Sequence, residues 1–177
     1  MQEFFTEILL PVKYGLLFAL ITLVYGFGLG GTFGVFEENI KEHLKNSASE
    51  VLASTYDGDE AKMKKITDKS WIYFKRAHLH ANGLGTASLI LIILISFLPI
   101  GSKIKSINAI FLGVGSLGYS LFWMLAGLKA PGMGSTGLAK ESLTWLALPS
   151  SGLCIIGLIM IVALVIKCLF VKGENIK

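Results

Sequence analysis

The sequence has little charge for its length. Only 16% of its residues are charged and 53% are hydrophobic, whereas about 25% of the residues of a soluble domain are charged. The charges concentrate between Phe36 and Arg76, in the segment 103–105 and near the ends, and long stretches almost without charge separate these regions. A bilayer sorts charge in this way and a water-soluble core does not. The composition therefore argues against an ordinary soluble domain.

Cysteine is also scarce, and the net charge is small. The two cysteines, Cys154 and Cys168, would lie roughly 21 Å apart on one helix at about 1.5 Å per residue. This separation excludes a disulfide between them, because a disulfide needs Cα atoms within about 7 Å of each other. The formal net charge is +4, and no basic stripe with interleaved aromatic residues is evident, so we expect no nucleic-acid partner.

Motifs that would indicate an enzyme are missing. The sequence contains no His-Glu-x-x-His, Gly-x-Ser-x-Gly, Cys-x-x-Cys or phosphate-loop pattern. The acidic string 57–60 lacks the ligand spacing of a calcium loop. The N-terminal segment contains Glu3 and Glu7 instead of a basic region, and the apolar run from Tyr14 is too long for a cleaved signal. We therefore expect a retained first span and no catalytic residues.

Four long apolar segments dominate the sequence. They predict membrane spans at about residues 14–36, 77–100, 107–128 and 151–171, since a transmembrane helix needs about 20 apolar residues. Pro99 is expected to end the second span, and Pro149 to lie near the start of the fourth. The predicted fold is a single-domain, all-α integral membrane protein (1–177) whose four transmembrane helices form an up-down bundle.

The segment 37–76 is polar but periodic, and it predicts an extramembrane helical hairpin between the first and second transmembrane helices. Apolar residues such as Leu44 and Phe74 recur at helical spacing in its two halves. A turn signal separates the halves at residues 56–59. We expect the two arms to continue the first two spans outwards by roughly 25 Å, at about 1.5 Å per residue.

The topology signals conflict. The hairpin holds eight basic and eight acidic residues, and counting lysine and arginine alone would place it inside. The short turn with Lys103 and Lys105 and the C-terminal tail are both net positive, which favours the opposite orientation. We expect cytoplasmic termini and an outer hairpin, in the inner or plasma membrane of a prokaryote.

Small residues recur every four positions in the first two spans. The first span has Gly26, Gly30 and Gly34, and the second has Ala77, Ala81 and Gly85. Such spacing lets helix backbones approach closely in lipid, so we interpret these residues as packing positions. The alternative is that they leave room for a flat ligand such as a haem, a quinone or a lipid.

Two histidines and an asparagine begin the second span. His78 and His80 point about 200° apart on a helix, at roughly 100° per residue, so they cannot chelate one metal and each must face a different neighbour. His78 shares its face with Asn82. The favoured interpretation is a pair of histidines near headgroup level, hydrated or bonded to carbonyls. The alternative is a cofactor-binding role, with haem b, a metal, a proton path or a quinone as candidates.

The haem hypothesis needs a second axial ligand. The third histidine, His43, lies on the hairpin, and the other spans contain none. Met124, Met160 or a second subunit would have to supply that ligand.

A second cluster of polar residues is predicted at the same membrane face. Arg76, Lys129, Lys140, Glu141 and Trp145 belong to segments that end or begin there. Together with His78 they could bind an anionic headgroup, a quinone or a small ligand. The favoured interpretation is an amphipathic interfacial segment anchored by Trp145 and Lys140.

These features favour a non-catalytic accessory subunit of a membrane complex. Its expected partners are the lipid bilayer and other membrane subunits or further copies of the chain. The alternative is a membrane redox or ligand-binding module that uses His78 or His80. A small transporter is less favoured, because the spans lack the buried charges that ion pathways usually require.

Overall fold

The computed structural model describes residues 2–171, and side chains for residues 5–170. Met1 and residues 172–177, which include most of the C-terminal tail used in the topology prediction, lie outside the described residues. Within residues 2–171 every regular element is a helix, and there is no strand. The helices in chain order are α1 (Gln2–Leu9), α2 (Lys13–Ser49), α3 (Leu52–Thr55), α4 (Glu60–Phe97), α5 (Ser102–Gly132), α6 (Thr136–Glu141) and α7 (Thr144–Ile166). A 3-10 turn, Leu10–Val12, joins α1 to α2, and a π-helical turn, Lys167–Val171, follows α7.

Four of these helices, α2, α4, α5 and α7, are long and apolar enough to cross a membrane. The prediction of an all-helical chain with four such helices is confirmed. At about 1.5 Å per residue α2 and α4 are each about 55 Å long, well beyond the roughly 30 Å of a hydrocarbon core. Each therefore has polar turns beyond its apolar part.

Backbone geometry marks where the apolar part of α2 ends. Phe36 has non-helical angles (φ −121°, ψ 21°) inside an otherwise continuous helix, at the residue where the first span is predicted to end. Beyond it α2 continues to Ser49, and after the short α3 the chain turns at residues 56–59, as predicted. Asp57 and Gly58 have positive φ angles in this turn, and the Asp59 side chain accepts a hydrogen bond from the backbone N–H of Lys62 at 2.8 Å, which caps α4.

Helices α4, α5 and α7 have ends that differ from the predicted spans. Leu98 adopts an extended conformation before Pro99 and ends α4, because a residue before proline avoids helical angles. In contrast, Pro149 lies inside α7, which begins five residues before it, at Thr144. The predicted boundaries describe apolar content, whereas the helices also include their polar ends.

Helix α5 packs against α2, α4, α6 and α7. Its contacts with α2 and α7 are close because glycines lie at them. A Cβ at Gly15 would collide with the backbone of Ala109. A Cβ at Gly115 would lie 2.8 Å from the carbonyl oxygen of Ser150, and one at Gly157 would lie 3.0 Å from Leu112. One apolar cluster, which includes Val12, Ala19, Ile92, Leu112 and Ile161, fills the space between these helices.

Candidate functional site

The two histidines of α4 contact different helices. His78 faces α2 and His80 faces α5. This confirms the expectation, from their spacing on a helix, that each has its own neighbour. The site is therefore described as two half-sites, one on each side of α4.

The His78 half-site contains a hydrogen bond between helices. The imidazole Nδ1 lies 2.8 Å from the carbonyl oxygen of Gly26 in α2. A carbonyl oxygen can only accept, so Nδ1 is protonated and donates. The Nδ2 of Asn82 lies 3.1 Å from the same nitrogen, but both atoms are then donors. Asn82 Nδ2 instead donates to the His78 carbonyl oxygen at 3.0 Å. This assignment places a proton on Nδ1, so Nε2 is the nitrogen that is unprotonated in the neutral tautomer.

Glycines on α2 make room for this half-site. A Cβ at Gly30 would lie 2.7 Å from Cε1 of His78, and one at Gly26 would lie 2.9 Å from Oδ1 of Asn82. Phe33 adds an edge-to-face contact to the imidazole, with ring centroids 6.0 Å apart. These two glycines therefore accommodate polar side chains of α4.

The other small residues behave differently from one another. Ala77 and Ala81 are fully buried, and a Cβ at Gly85 would meet Leu23 at 3.1 Å. Gly34 is exposed, and an added Cβ there would meet nothing within 4 Å, so it does not take part in the close contact that its spacing predicts. Each step of four residues rotates a position by about 40° around the helix, and two steps from Gly26 turn Gly34 away from α4.

The His80 half-site is aromatic. The imidazole stacks on Trp123 of α5, with centroids 5.9 Å apart and planes at 24°, and meets the Tyr119 ring edge-to-face at 5.1 Å. The Arg76 guanidinium lies 4.9 Å from the Trp123 centroid and 5.5 Å from that of Tyr73, distances typical of cation–π contacts. The buried Nε1 of Trp123 has no hydrogen-bond partner among the described residues.

Tyr73, Tyr119 and Trp123 were not among the residues predicted for the site. Their spacing in the sequence could have indicated that they share helix faces. Tyr119 and Trp123 lie four positions apart on one face of the third apolar segment, and Tyr73 and His80 lie seven apart on α4. Matching aromatic faces on two neighbouring helices predict a shared layer, but the sequence does not say which helices are neighbours.

The structure divides the predicted interface cluster. Arg76 joins the aromatic half-site. Lys129 Nζ donates to Ser142 Oγ at 3.4 Å and links the end of α5 to the end of α6. Lys140 and Glu141 are exposed on α6, and Trp145 is 69% exposed. Among the described side chains, no hydrogen bond, ion pair or ring contact joins any of these residues to His78, because His78 faces α2 whereas α6 packs on α5.

A further contact attaches the turn of the hairpin to α5. The buried Tyr56 hydroxyl donates to the Pro131 carbonyl oxygen at 2.6 Å. Burial raises the pKa of Tyr56 above its usual value. Thr55 packs against Gly134, whose φ of 60° suits glycine. The hairpin is therefore held against the C-terminal end of α5.

These contacts define what the site can do chemically. Among residues 2–171, no group of three histidine, cysteine, aspartate or glutamate side chains could hold a metal ion. A neighbouring helix contacts one side of each imidazole ring. No carboxylate of the described residues forms a hydrogen bond or an ion pair with either ring. The arrangement is suited to fixing α4 between α2 and α5.

Comparison of the chain with known protein families, with curated proteins and with solved structures finds no match.

Proposed function

We propose that the chain lies in a bilayer as an up-down bundle of four transmembrane helices and acts as a non-catalytic accessory subunit of a membrane complex. The observation that supports this best is that the polar residues predicted for a binding site contact other helices of the same chain. His78, His80 and Arg76 all contact neighbouring helices of the same chain. Groups used in this way hold a fold together, which is what an accessory subunit requires.

The outward faces of α2 and α7 support the membrane part of the proposal. Val24 and Phe27 of α2 are 73% and 72% exposed, and Ile155 and Ile159 of α7 are 57% and 63% exposed. Continuous apolar surface of this kind is costly in water and is covered in a bilayer by lipid or by a neighbouring helix. In this proposal the hairpin lies outside, the termini are cytoplasmic, and the membrane is the inner or plasma membrane of a prokaryote.

The experiment is recovery of the complex. The tagged full chain is expressed at its natural level and extracted from its native membrane in mild detergent. Native mass spectrometry then measures the mass of the recovered complex. We expect a second polypeptide bound at a fixed ratio. Paired variants identify the surface: Ile155→Ala with Ile159→Ala on α7, and Val24→Ala with Phe27→Ala on α2. One pair should lower recovery of the partner while the chain's melting temperature stays unchanged. A monomer that retains only lipid would contradict the proposal.

The redox or ligand-binding module stays the alternative hypothesis. A haem iron needs a free imidazole nitrogen, and Nε2 of His78 is the nitrogen that the hydrogen-bond assignment leaves available. Its ring is closely surrounded, however, since Gly30 lies against Cε1 and Phe33 against the ring. An absorption spectrum of the purified chain tests this: a Soret band lost in His78→Ala or His80→Ala would favour the module over the accessory subunit. The transporter hypothesis gains no support from the described contacts.

A further inference from the structure

A groove of about 740 Å³ lies between the polar ends of α2 and α4. Its floor is apolar. Leu44 is 1% exposed, Met63 and Trp71 are partly buried, and Ile72 is 43% exposed. These residues lie in the hairpin, beyond the apolar parts of both helices, so the membrane interior does not cover them.

The walls of the groove are charged, and lysine predominates. Four lysines contribute to the lining, against two acidic residues, Glu60 and Asp68. Lys41 is neutralised by Glu37 and Glu38, at 2.6 and 3.0 Å. The remaining lysines, Lys45, Lys64 and Lys75, are exposed, and none forms an ion pair with a described residue.

The lysines that line the groove lie on both of its walls. Lys41 and Lys45 belong to α2, and Lys64 and Lys75 belong to α4, where Glu60 and Asp68 also line it. With Lys41 paired, three free lysines remain against two carboxylates, so a partner lying in the groove meets an excess of positive charge. Charge complementarity of this kind selects an acidic partner.

The length of the groove favours a helix over a compact headgroup. Glu60, Lys64, Asp68, Ile72 and Lys75 recur along one side of α4 and all line the groove, over roughly 22 Å at about 1.5 Å per residue. This is the length of about four helical turns. A lipid phosphate would occupy only one end, whereas an amphipathic helix can place apolar residues along the whole floor.

We propose that this groove docks an acidic amphipathic helix of a partner subunit. Its apolar face lies on Met63 and Trp71, and its acidic flank faces Lys64 and Lys75. The inference rests on the proposed function, since it assigns a surface and a partner class to the accessory subunit.

The test uses the full chain in phosphatidylcholine nanodiscs and two labelled synthetic peptides of about 18 residues, long enough for the groove. Both peptides have leucines along one helical face; one has glutamates on its flanks and the other has lysines. We expect fluorescence anisotropy to give at least about tenfold tighter binding of the acidic peptide at low salt. The variant Lys64→Glu with Lys75→Glu should lose this preference, and Trp71→Ala should weaken both peptides.

The matched control is Lys62→Glu with Lys69→Glu, which changes the net charge equally on a face of α4 outside the groove. This control should retain the preference for the acidic peptide to within about threefold. Equal binding of the two peptides by the wild-type chain would overturn the proposal. An equal loss in the control and groove variants would do so too, because it would indicate general attraction to the hairpin. Quenching of Trp71 by brominated anionic lipid would assign the groove to the membrane instead.

The two proposals can fail separately. Absence of a copurifying polypeptide removes the accessory role whatever the peptides do. If a partner copurifies at the normal ratio with Lys64→Glu and Lys75→Glu, its docking surface lies elsewhere and the groove proposal fails alone.

Discussion

Helices α5 and α7 differ in a way that hydrophobicity alone would not suggest. Helix α5 has twelve buried residues, of which eight are glycine, alanine or serine, whereas α7, the more apolar helix, has three buried residues. In lipid, apolar side chains gain little by leaving the bilayer for a helix interface, and close packing of small residues decides which helices meet. Helix α5 is therefore central because its buried residues are mostly small, whereas α7 is peripheral although it is more hydrophobic.

The largest expected effect comes from adding one methyl group to the centre of α5. A Cβ at Gly113 would collide with the carbonyl oxygen of Gly15 and lie 3.0 Å from Phe18 Cβ, so we expect Gly113→Ala to lower the free energy of unfolding by about 2 kcal/mol or more. Gly152 of α7 has nothing within 4 Å of an added Cβ, and Gly152→Ala should stay within about 0.5 kcal/mol. Unfolding in mixed micelles measures the free energy of unfolding of both variants. Equal losses in the two variants would contradict the contrast between a central α5 and a peripheral α7.

The second-largest loss of stability is expected in the aromatic layer between α4 and α5. His80→Ala removes the stacking on Trp123 and the contact with Tyr119, so we expect a loss of about 1–2 kcal/mol. His80→Phe keeps a ring in the same place and should cost less than about 0.5 kcal/mol. The same unfolding assay applies. If phenylalanine were as damaging as alanine, the imidazole nitrogens rather than the ring would be what matters.

Among the described residues, one side-chain hydrogen bond joins α5 to α7, and Asn108 donates it. Its Nδ2 donates to the Gly157 carbonyl oxygen at 2.8 Å, and the residue is fully buried. We expect Asn108→Ala to cost about 1 kcal/mol, in line with hydrogen bonds between transmembrane helices. Limited proteolysis should cleave near the start of α7 faster in this variant, and an unchanged cleavage rate would show that α7 is held by other contacts.

Tyr56 tests how the hairpin is attached to α5. Tyr56→Phe removes the hydrogen bond to Pro131, with an expected cost of about 1 kcal/mol. Because burial raises the pKa of Tyr56 in the folded chain, its contribution is fully present below the unfolded pKa of about 10 and falls as the pH rises above it. Melting temperatures measured between pH 8 and about pH 11 should therefore converge for wild type and Tyr56→Phe. A gap that widens with pH would contradict this sign.

The smallest effect is expected on the outer face of α7. Ile159 is 63% exposed, so Ile159→Ala should change the free energy of unfolding by less than about 0.5 kcal/mol. A larger loss, measured with the chain alone in micelles, would mean that this face packs against something other than detergent, such as a second copy.

Much of the fold follows from the sequence, because four apolar runs and a polar turn at residues 56–59 are local patterns. The opposite orientation of His78 and His80 also follows from helix geometry. The sequence cannot identify the partners of a side chain, which depend on which helices are adjacent. Trp123 became part of the His80 half-site because α5 packs against α4. Lys140 did not join His78 because α6 packs on α5, whereas His78 faces α2.

An accessibility scan along α7 in a bilayer tests most directly whether α7 is a peripheral helix with one packed face. Single spin labels are placed at positions 153–164 in a background in which Cys154 and Cys168 are replaced by serine. We expect oxygen collision rates to oscillate with the helical period, with maxima at the exposed Ile155, Ile159 and Val162 and minima at Cys154 and Ile161. A rate that is uniform around the helix, or higher collision with an aqueous nickel chelate than with oxygen at Ile159, would contradict it.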